Sequence, residues 1–488
     1  DVAVAYASTG ITGLGNEAVT LDDTTLAASI LNTVNAATSI TINASSVTTL
    51  TGTAAAVTAS YTSAGVAGLG NEAITLADTA LAVTALNALD AVTTGAINAS
   101  SVTTLTGTAP NLSAAYASTG ITGLGGSALT LTDTTLAAST LIALDANTSG
   151  AIDASSVLTL TGSEAELAQA YASAGIVGLG SSSDAFSGTT AEASALLASD
   201  ASSASTIDAS SVLTLIGSAA DLAALYSATG ITGLGNEAVT LTDTSVAAST
   251  LNTLDTRTTG VIDASSVTTL TGTAAIVAAS YGSSGLTGLG SSAVTLSDTA
   301  LAATSLNALD GFTSGAINAA SVTRLTGSST ELAATYASGG FTGLGNEYVL
   351  LTGTTATATE LNTINAGTSV TVNIGSILSV TGSVADLNTI FSQAGLVNRG
   401  TQALTLTDTS ATAVTLSTLD ARTAGTVNAS SVLTLTGTAA AVATNYASSG
   451  ITGLGSSAVT LTDTTAAASA LIVINTGTTG TIDASSVL

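Results

Sequence analysis

Short stretches of alternating apolar and polar residues return along the chain at nearly constant spacing. Ala18-Val19-Thr20-Leu21 and Ser46-Val47-Thr48-Thr49-Leu50-Thr51 are early copies, and Ala238-Val239-Thr240-Leu241-Thr242 is a later one. Period-two alternation of β-branched residues predicts half-buried strands. Each stretch runs into Asp or Gly, then Thr or Ser, then an Ala-rich segment: residues 25–35 after Asp23-Thr24, and residues 54–64 after Gly52-Thr53. The Ala content predicts helices. Ser163-Glu164-Ala165-Glu166 and Ser328-Ser329-Thr330-Glu331 fit capping boxes, and Ser218 with Asp221 and Ser383 with Asp386 are variants. The single proline, Pro110, falls in a first helical turn, where its missing N–H costs nothing. A glycine follows one helix of each pair (Gly10, Gly65, Gly120 and so on to Gly450), which predicts a left-handed C-terminal cap.

The spacing sets the architecture. Val19 to Val47 is 28 residues and Val47 to Ile74 is 27, so the elementary coil has 27–28 residues and a pair has 55. An aromatic residue marks the pair: Tyr6, Tyr61, Tyr116, Tyr171, Tyr226, Tyr281, Tyr336, Phe391 and Tyr446. A fixed period of this length means stacked repeats rather than one globular core. The expected fold is an α/β solenoid of strand–helix coils with one parallel sheet, the alternative being a parallel β-helix. Its nine repeats are 1–55, 56–110, 111–165, 166–220, 221–275, 276–330, 331–385, 386–440 and 441–488. Loops normally tolerate length changes. Here none has changed length, which points to a role in which regularity itself is used. The tyrosines are expected to be mostly buried between helices. An array that begins inside a helix and stops inside a strand is expected to continue in a longer chain or to stack end to end on copies of itself.

Composition removes several functions. Four arginines stand against 31 acidic residues, with no Lys and no His, for a net charge of −27. Such a chain repels nucleic acid and anionic membrane faces. With no Cys it has neither disulfides nor thiolate metal sites. No run of 18 apolar residues is present, so membrane insertion is not expected.

Candidate chemistry is sparse. Asp145-Ala146-Asn147 through Asp153 resembles the start of a calcium loop, as do Asp255 and Asp263 in a later copy, but the twelfth position is Ser156 rather than Glu. Asp145, Asn147, Asp153, Asp255 and Asp263 are therefore calcium candidates. The other reading is a ladder of Asn and Asp side chains satisfying turn backbone, because Asn43, Asn98, Asp153, Asp208 and their copies interchange freely. Otherwise no cofactor is expected. Asp23, Asp78, Asp133, Asp243, Asp298, Asp408 and Asp463 precede a Thr and read as helix caps, with Gly188 and Gly353 replacing them twice. Gly13-Leu14-Gly15 lacks the following helix of a phosphate loop and reads as a turn. Thr-x-Thr runs beside each strand leucine suggest files of threonine on a sheet face. Without His, Cys or Lys the usual bases and activated nucleophiles are missing, and no enzyme activity is expected. The largest departures from the repeat are Ser183-Asp184-Ala185-Phe186 and Asn398-Arg399.

The motifs ALTLTDTTLAAST (128–140) and GAIDASSVLTLTGS (150–163) resemble tandem repeats in very large secreted cell-surface proteins of marine cyanobacteria and related bacteria. That resemblance implies an extracellular place in a surface layer or appendage, and it supplies no catalytic residues. The expected function is an extracellular structural repeat protein forming a filament, fibre or surface layer. Its partners would be copies of itself or more of the same chain, with cell-surface glycan as a further partner. The alternative is an adhesin or ice-binding module using the threonine files.

Overall fold

The computed structural model describes residues 1–203 and 205–488. They form two compact bodies, Asp1–Val239 and Thr240–Leu488. Both are built of the same coils, in which short strands alternate with one helix, so the fold is an α/β repeat solenoid. The helix in each coil rules out a pure β-helix.

The coil is richer than one strand and one helix. In the N-terminal body the chain passes through Val66–Ala67, Ala73–Leu76 and Ala80–Ala82, then the helix Val83–Asp90. The next coil has two strands, Ile97–Asn98 and Thr104–Gly107, then the helix Ala109–Ala117. Coils with three and two strands alternate, which is why the true repeat is the pair of coils and not the single coil. The helices start later than expected. Asp-Thr does not open a helix but a three-residue strand, such as Thr25–Ala27, and the helix Ala28–Ala37 follows.

The single continuous sheet is not observed. Strand partners lie closer in sequence than one full coil: Leu26 faces Leu50, which faces Ile74, then Ile97, then Ile121. Because this spacing falls short of the coil, each step slides the pairing back relative to the repeat. After four steps the strip has drifted from the segment before a helix to the segment after one, and it stops. A new strip starts one repeat later, with Leu81, Leu105, Leu129, Ile152 and Ile176 in register. The sheets are therefore mostly overlapping five-stranded parallel strips, with one two-stranded and one four-stranded sheet among the described residues. Val19 sits beside the bridge from Thr20 to Asn43, Val47 lies in a turn and Ile74 lies in a different strip, so the three are not rungs of one sheet.

The strips carry files of mostly aliphatic side chains into the core; Leu50, Ile97 and Leu105 are fully buried. Burying each such side chain is worth about 1.5–3 kcal/mol. The helices close the other side with buried residues at every third position, Ala54, Val57 and Ser60 or Ala109, Leu112 and Ala115. The same strips recur in the C-terminal body, for example Val246, Leu270, Val294, Ile317 and Phe341.

The recurring glycine after the tyrosine helix has a different cause from the one expected. Gly65, Gly120 and Gly175 do not have left-handed backbone. A Cβ there would collide with the side chain of Asn35, Asp90 or Asp145 from the preceding coil. The left-handed glycine comes slightly later in the chain. Gly68 has φ +92°, and a Cβ there would strike the Ser45 backbone. The one substitution at this place, Asn398 at φ 61°, is the residue type that best tolerates that conformation.

Candidate functional site: ladders between coils and the groove beside the tyrosines

Polar side chains form three ladders, one closing turns within a coil and two joining a coil to its neighbour. The first ladder is the Asn/Asp file. Asn43, Asn98, Asp153, Asp208, Asp263, Asn318, Asn373, Asn428 and Asp483 each accept the backbone N–H two residues on, at 2.9–3.1 Å. The Ser155 amide holds the Asp153 carboxyl below its usual range, and the Ser210 amide does the same for Asp208. Either amide or carboxylate oxygen serves, which explains the interchange.

The second ladder caps helices from the next coil. Asp78 Oδ2 accepts the N–H of Ala54 at 2.7 Å, Asp133 that of Ala109 at 2.8 Å, and Asp298 that of Ala274 at 2.7 Å. Asp408 and Asp463 do the same for Val384 and Ala439. These aspartates cap helices, as expected, but each serves the helix of the preceding coil rather than the one ahead. The two glycine replacements follow from this. Gly188 and Gly353 stand where a capping aspartate would serve Glu164 and Ser329, the first residues of the two tyrosine helices with capping boxes. There Glu166 accepts the Ser163 N–H at 2.8 Å and Glu331 accepts that of Ser328 at 2.9 Å. At all of these helix starts a carboxylate arrives either from inside the helix or from the following coil. The signal was present in the sequence as a glycine paired with the glutamate of the capping box before it, Gly188 with Glu166 and Gly353 with Glu331.

The third ladder spans 28 residues and joins neighbouring helices. Asp145 Oδ2 accepts the Ser173 hydroxyl at 2.6 Å, and Asp255 that of Ser283 at 2.7 Å. The calcium candidates are thus in separate places: Asp145 and Asp255 between helices, Asp153 and Asp263 at strand ends capping the following turn, and Asn147 exposed. The described residues contain no group of three acidic side chains gathered as a metal site.

The tyrosine rings are half-buried rather than buried, and their hydroxyls turn inward. Tyr61 donates to Glu72 at 2.7 Å, Tyr226 to Glu237 at 3.1 Å, and Tyr336 to Glu347. These glutamates are 0–1% exposed, and backbone N–H groups such as that of Gly70 also reach them. Burial pushes the Tyr61 and Tyr336 phenols up, and the adjacent carboxylate adds to it. Where the glutamate is replaced by Ser127 or Ser457, the phenol donates to a carbonyl instead, of Leu124 or Leu454. Repeat four differs again: Tyr171 donates to Asp184 at 2.8 Å.

The threonine files are short. Thr51, Thr75, Asn98 and Thr122 share one row, which ends with the strip. Several hydroxyls bond backbone carbonyls, as Thr122 does to Ile97 at 3.2 Å. Gly13 and Gly15 have positive φ, as a turn requires.

A groove lies between a tyrosine helix and the helix of the next coil. It recurs at Ala168 and Tyr171 facing Ser199 and Ser202, at Ala278 facing Thr304 and Ala308, and at Asn388 and Ser392 facing Thr418 and Arg422. One wall position varies more than its surroundings. Ala37, Val92, Asn147, Ser202, Arg257, Phe312, Gly367, Arg422 and Gly477 are seven residue types in nine copies. Its occupant decides the groove. Phe312 stacks on Tyr281, ring centroids 5.7 Å apart. At Gly367 and Gly477 a Cβ would strike the Tyr336 or Tyr446 ring, so the helix closes onto it. No protein-family model matches the chain, and no curated protein is significantly similar to it. No helix among the described residues is long and apolar enough to cross a membrane.

Proposed function

We propose that this chain is an extracellular structural repeat protein, a load-bearing solenoid of a filament, fibre or surface layer, associated with further copies or further length of the same repeat and carrying no catalytic activity. The observation that carries the reading is the capping of one coil's helix by the aspartate of the next. In most repeats the tyrosine helix leaves an N–H that the aspartate of the following coil accepts, so strength propagates along the array through nearest neighbours. Side-chain hydrogen bonds at sequence separations of 24 and 28 do the same work on both sides of the coil. Invariant loop lengths and the resemblance to bacterial surface repeats support the extracellular placement. The ice-binding alternative draws less support, because the threonine rows stop within one strip.

Pulling single molecules by their ends is the test. A load-bearing array unfolds in a staircase of similar steps, each releasing about 190 Å of chain per repeat, and Asp298→Ala lowers the force of one step. Unfolding in one event at low force would sink the mechanical reading. Immunogold labelling of intact cells tests the location, and an intracellular pattern would sink the extracellular one.

A further inference from the structure

Repeat eight concentrates substitutions found in no other repeat: Asn388, Gln393, Asn398, Arg399 and Gln402. It also holds two of the four arginines, and these do different things. Arg399 takes the place of a core leucine and folds inward, its Nη1 donating to the carbonyls of Ile390 and Gln393. That arginine completes the backbone of the helix end. Arg422 stands exposed at the variable position of the groove. One N–H reaches the Asn388 carbonyl at 3.1 Å, which fixes the side chain, and the guanidinium pairs with no carboxylate among the described residues.

The rest of the groove presents acceptors. The hydroxyls of Thr389, Ser392 and Thr418 each donate to a carbonyl of their own helix at 2.7–3.0 Å, leaving oxygen lone pairs toward the groove. Asn388 donates through Nδ2 to Val384, and its Oδ1 is buried without a partner. That oxygen is shielded from solvent, so the acceptors the groove offers are the three hydroxyls. The lining therefore asks for a ligand with one planar anionic group for Arg422 and several hydroxyl donors for the surrounding oxygens. A bare inorganic anion would face acceptors on most sides. A cation would meet the guanidinium.

We propose that the repeat-eight groove binds a carboxylated sugar, a uronic acid unit of an acidic polysaccharide, with its carboxylate on Arg422 and its hydroxyls on Thr389, Ser392 and Thr418. Arginine suits this role because its planar fork matches a carboxylate in two parallel hydrogen bonds. The net charge of −27 repels a long polyanion, so recognition is confined to this local site rather than to a basic face. The inference deepens the proposed function by naming a surface partner, and rests on it only for where such a sugar is met.

The test is calorimetric titration of the full chain with a galacturonic acid trisaccharide, with its carboxyl-reduced neutral counterpart and inorganic sulfate as comparators. The trisaccharide binds, the neutral sugar binds at least about tenfold more weakly, and sulfate does not compete. Arg422→Ala lowers affinity about tenfold or more, and Arg422→Lys restores only part of it. Arg257→Ala, at the same repeat position where Ala223 replaces the asparagine, leaves binding unchanged. Circular dichroism checks that each variant is folded. No binding, equal binding of the neutral sugar, equal competition by sulfate, or an equal loss with Arg257→Ala overturns the proposal. The pulling staircase is independent of all of these, so either idea can fail alone.

Discussion

Repeats two and four solve one problem with opposite choices. In repeat two the tyrosine hydroxyl meets Glu72, which sits in a turn where the Gly70 N–H also reaches it, and the strip beneath is aliphatic throughout, with Ile74 between Leu50 and Ile97. In repeat four the turn residue is Ser182, and the carboxylate has moved along the chain into the strip. Asp184 lies between Leu160 and Ile207, fully buried, in a place that is Val, Ile or Leu in the other eight copies. Its Oδ1 accepts from Tyr171, while Oδ2 has no hydrogen bond among the described residues. The Ser203 hydroxyl favours the anion without making a hydrogen bond of ordinary geometry to it. The lesson is that a buried carboxylate is tolerable where backbone N–H groups already point at it, and costly in the neighbouring strip position where only one phenol does.

Making repeat two like repeat four has the largest expected effect. Ile74→Asp places a carboxylate between Leu50 and Ile97 with a cavity around it, where the one nearby phenol, Tyr61, already donates to Glu72, and should cost about 4–5 kcal/mol. Hydrogen exchange at Leu50 and Ile97 should accelerate accordingly. Protection unchanged in both would mean that the strip is not the cooperative core described above.

The reverse change, Asp184→Leu, should stabilise repeat four by about 1–4 kcal/mol near neutral pH and remove a pH dependence. Burial pushes the Asp184 carboxyl up, against smaller opposing pulls from the Tyr171 and Ser203 hydroxyls. The folded-state pKa therefore exceeds the unfolded one. Its contribution is fully present below the unfolded value and is lost as pH rises through the folded one. Repeat four should thus loosen from acid toward neutral pH. Exchange at Leu160 and Ile207 measured from acid upward checks the sign, with the intrinsic pH dependence of exchange corrected. An Asp184→Leu protein that keeps the slope would place its origin elsewhere.

The period, the helices and the aliphatic file were legible because each is a local pattern: Leu, Ile and Val recur on one side of short strands whatever those strands pair with. The pairing was not legible. The coil length suggests partners one coil apart, and the shorter register appears only when three short strands fit before one helix. Ile42–Asn43 and Thr25–Ala27 are too short for alternation to show. The Asn/Asp ladder could be read because it closes within two residues. The cross-coil caps could not, because Asp78 and Ala54 belong to different coils and the nearer helix looked like the natural client. Glycine misled in one place: Gly65 leaves room for the Asn35 side chain, a packing cause that leaves the same residue as a left-handed turn would. The groove wall was legible only as variability, at Arg257, Phe312 and Arg422, with nothing in the spacing to show that it lies beside a tyrosine ring.

The tyrosine sharpens the contrast at smaller scale. Tyr171→Phe removes the hydrogen bond that holds the Asp184 carboxylate and should cost about 1–3 kcal/mol. Tyr61→Phe leaves Glu72 with its Gly70 N–H and should cost about 1 kcal/mol. Chemical denaturation with a probe in each repeat compares them. Equal losses would mean that the backbone donors at Glu72 contribute nothing beyond the phenol.

The smallest effect concerns the caps. Asp133 accepts the Ala109 N–H from the following coil, and that helix starts at Thr108, which makes no side-chain cap of its own. Asp133→Gly should therefore cost about 1 kcal/mol in repeats two and three. In repeat four the corresponding residue is already Gly188, and its helix is served by Ser163 and Glu166. Gly188→Asp would bring another carboxylate to a helix start that already has Glu164 and Glu166, and burial already pushes the Glu164 carboxyl up against the smaller downward pull of the Glu192 N–H. The expected result is no gain, or a loss that shrinks as salt is raised, since repulsion between partly exposed charges is screened. Thermal melts at low and high salt read both variants. A clear gain from Gly188→Asp would show that the two capping modes add, and that glycine stands there for some reason other than the presence of Glu166.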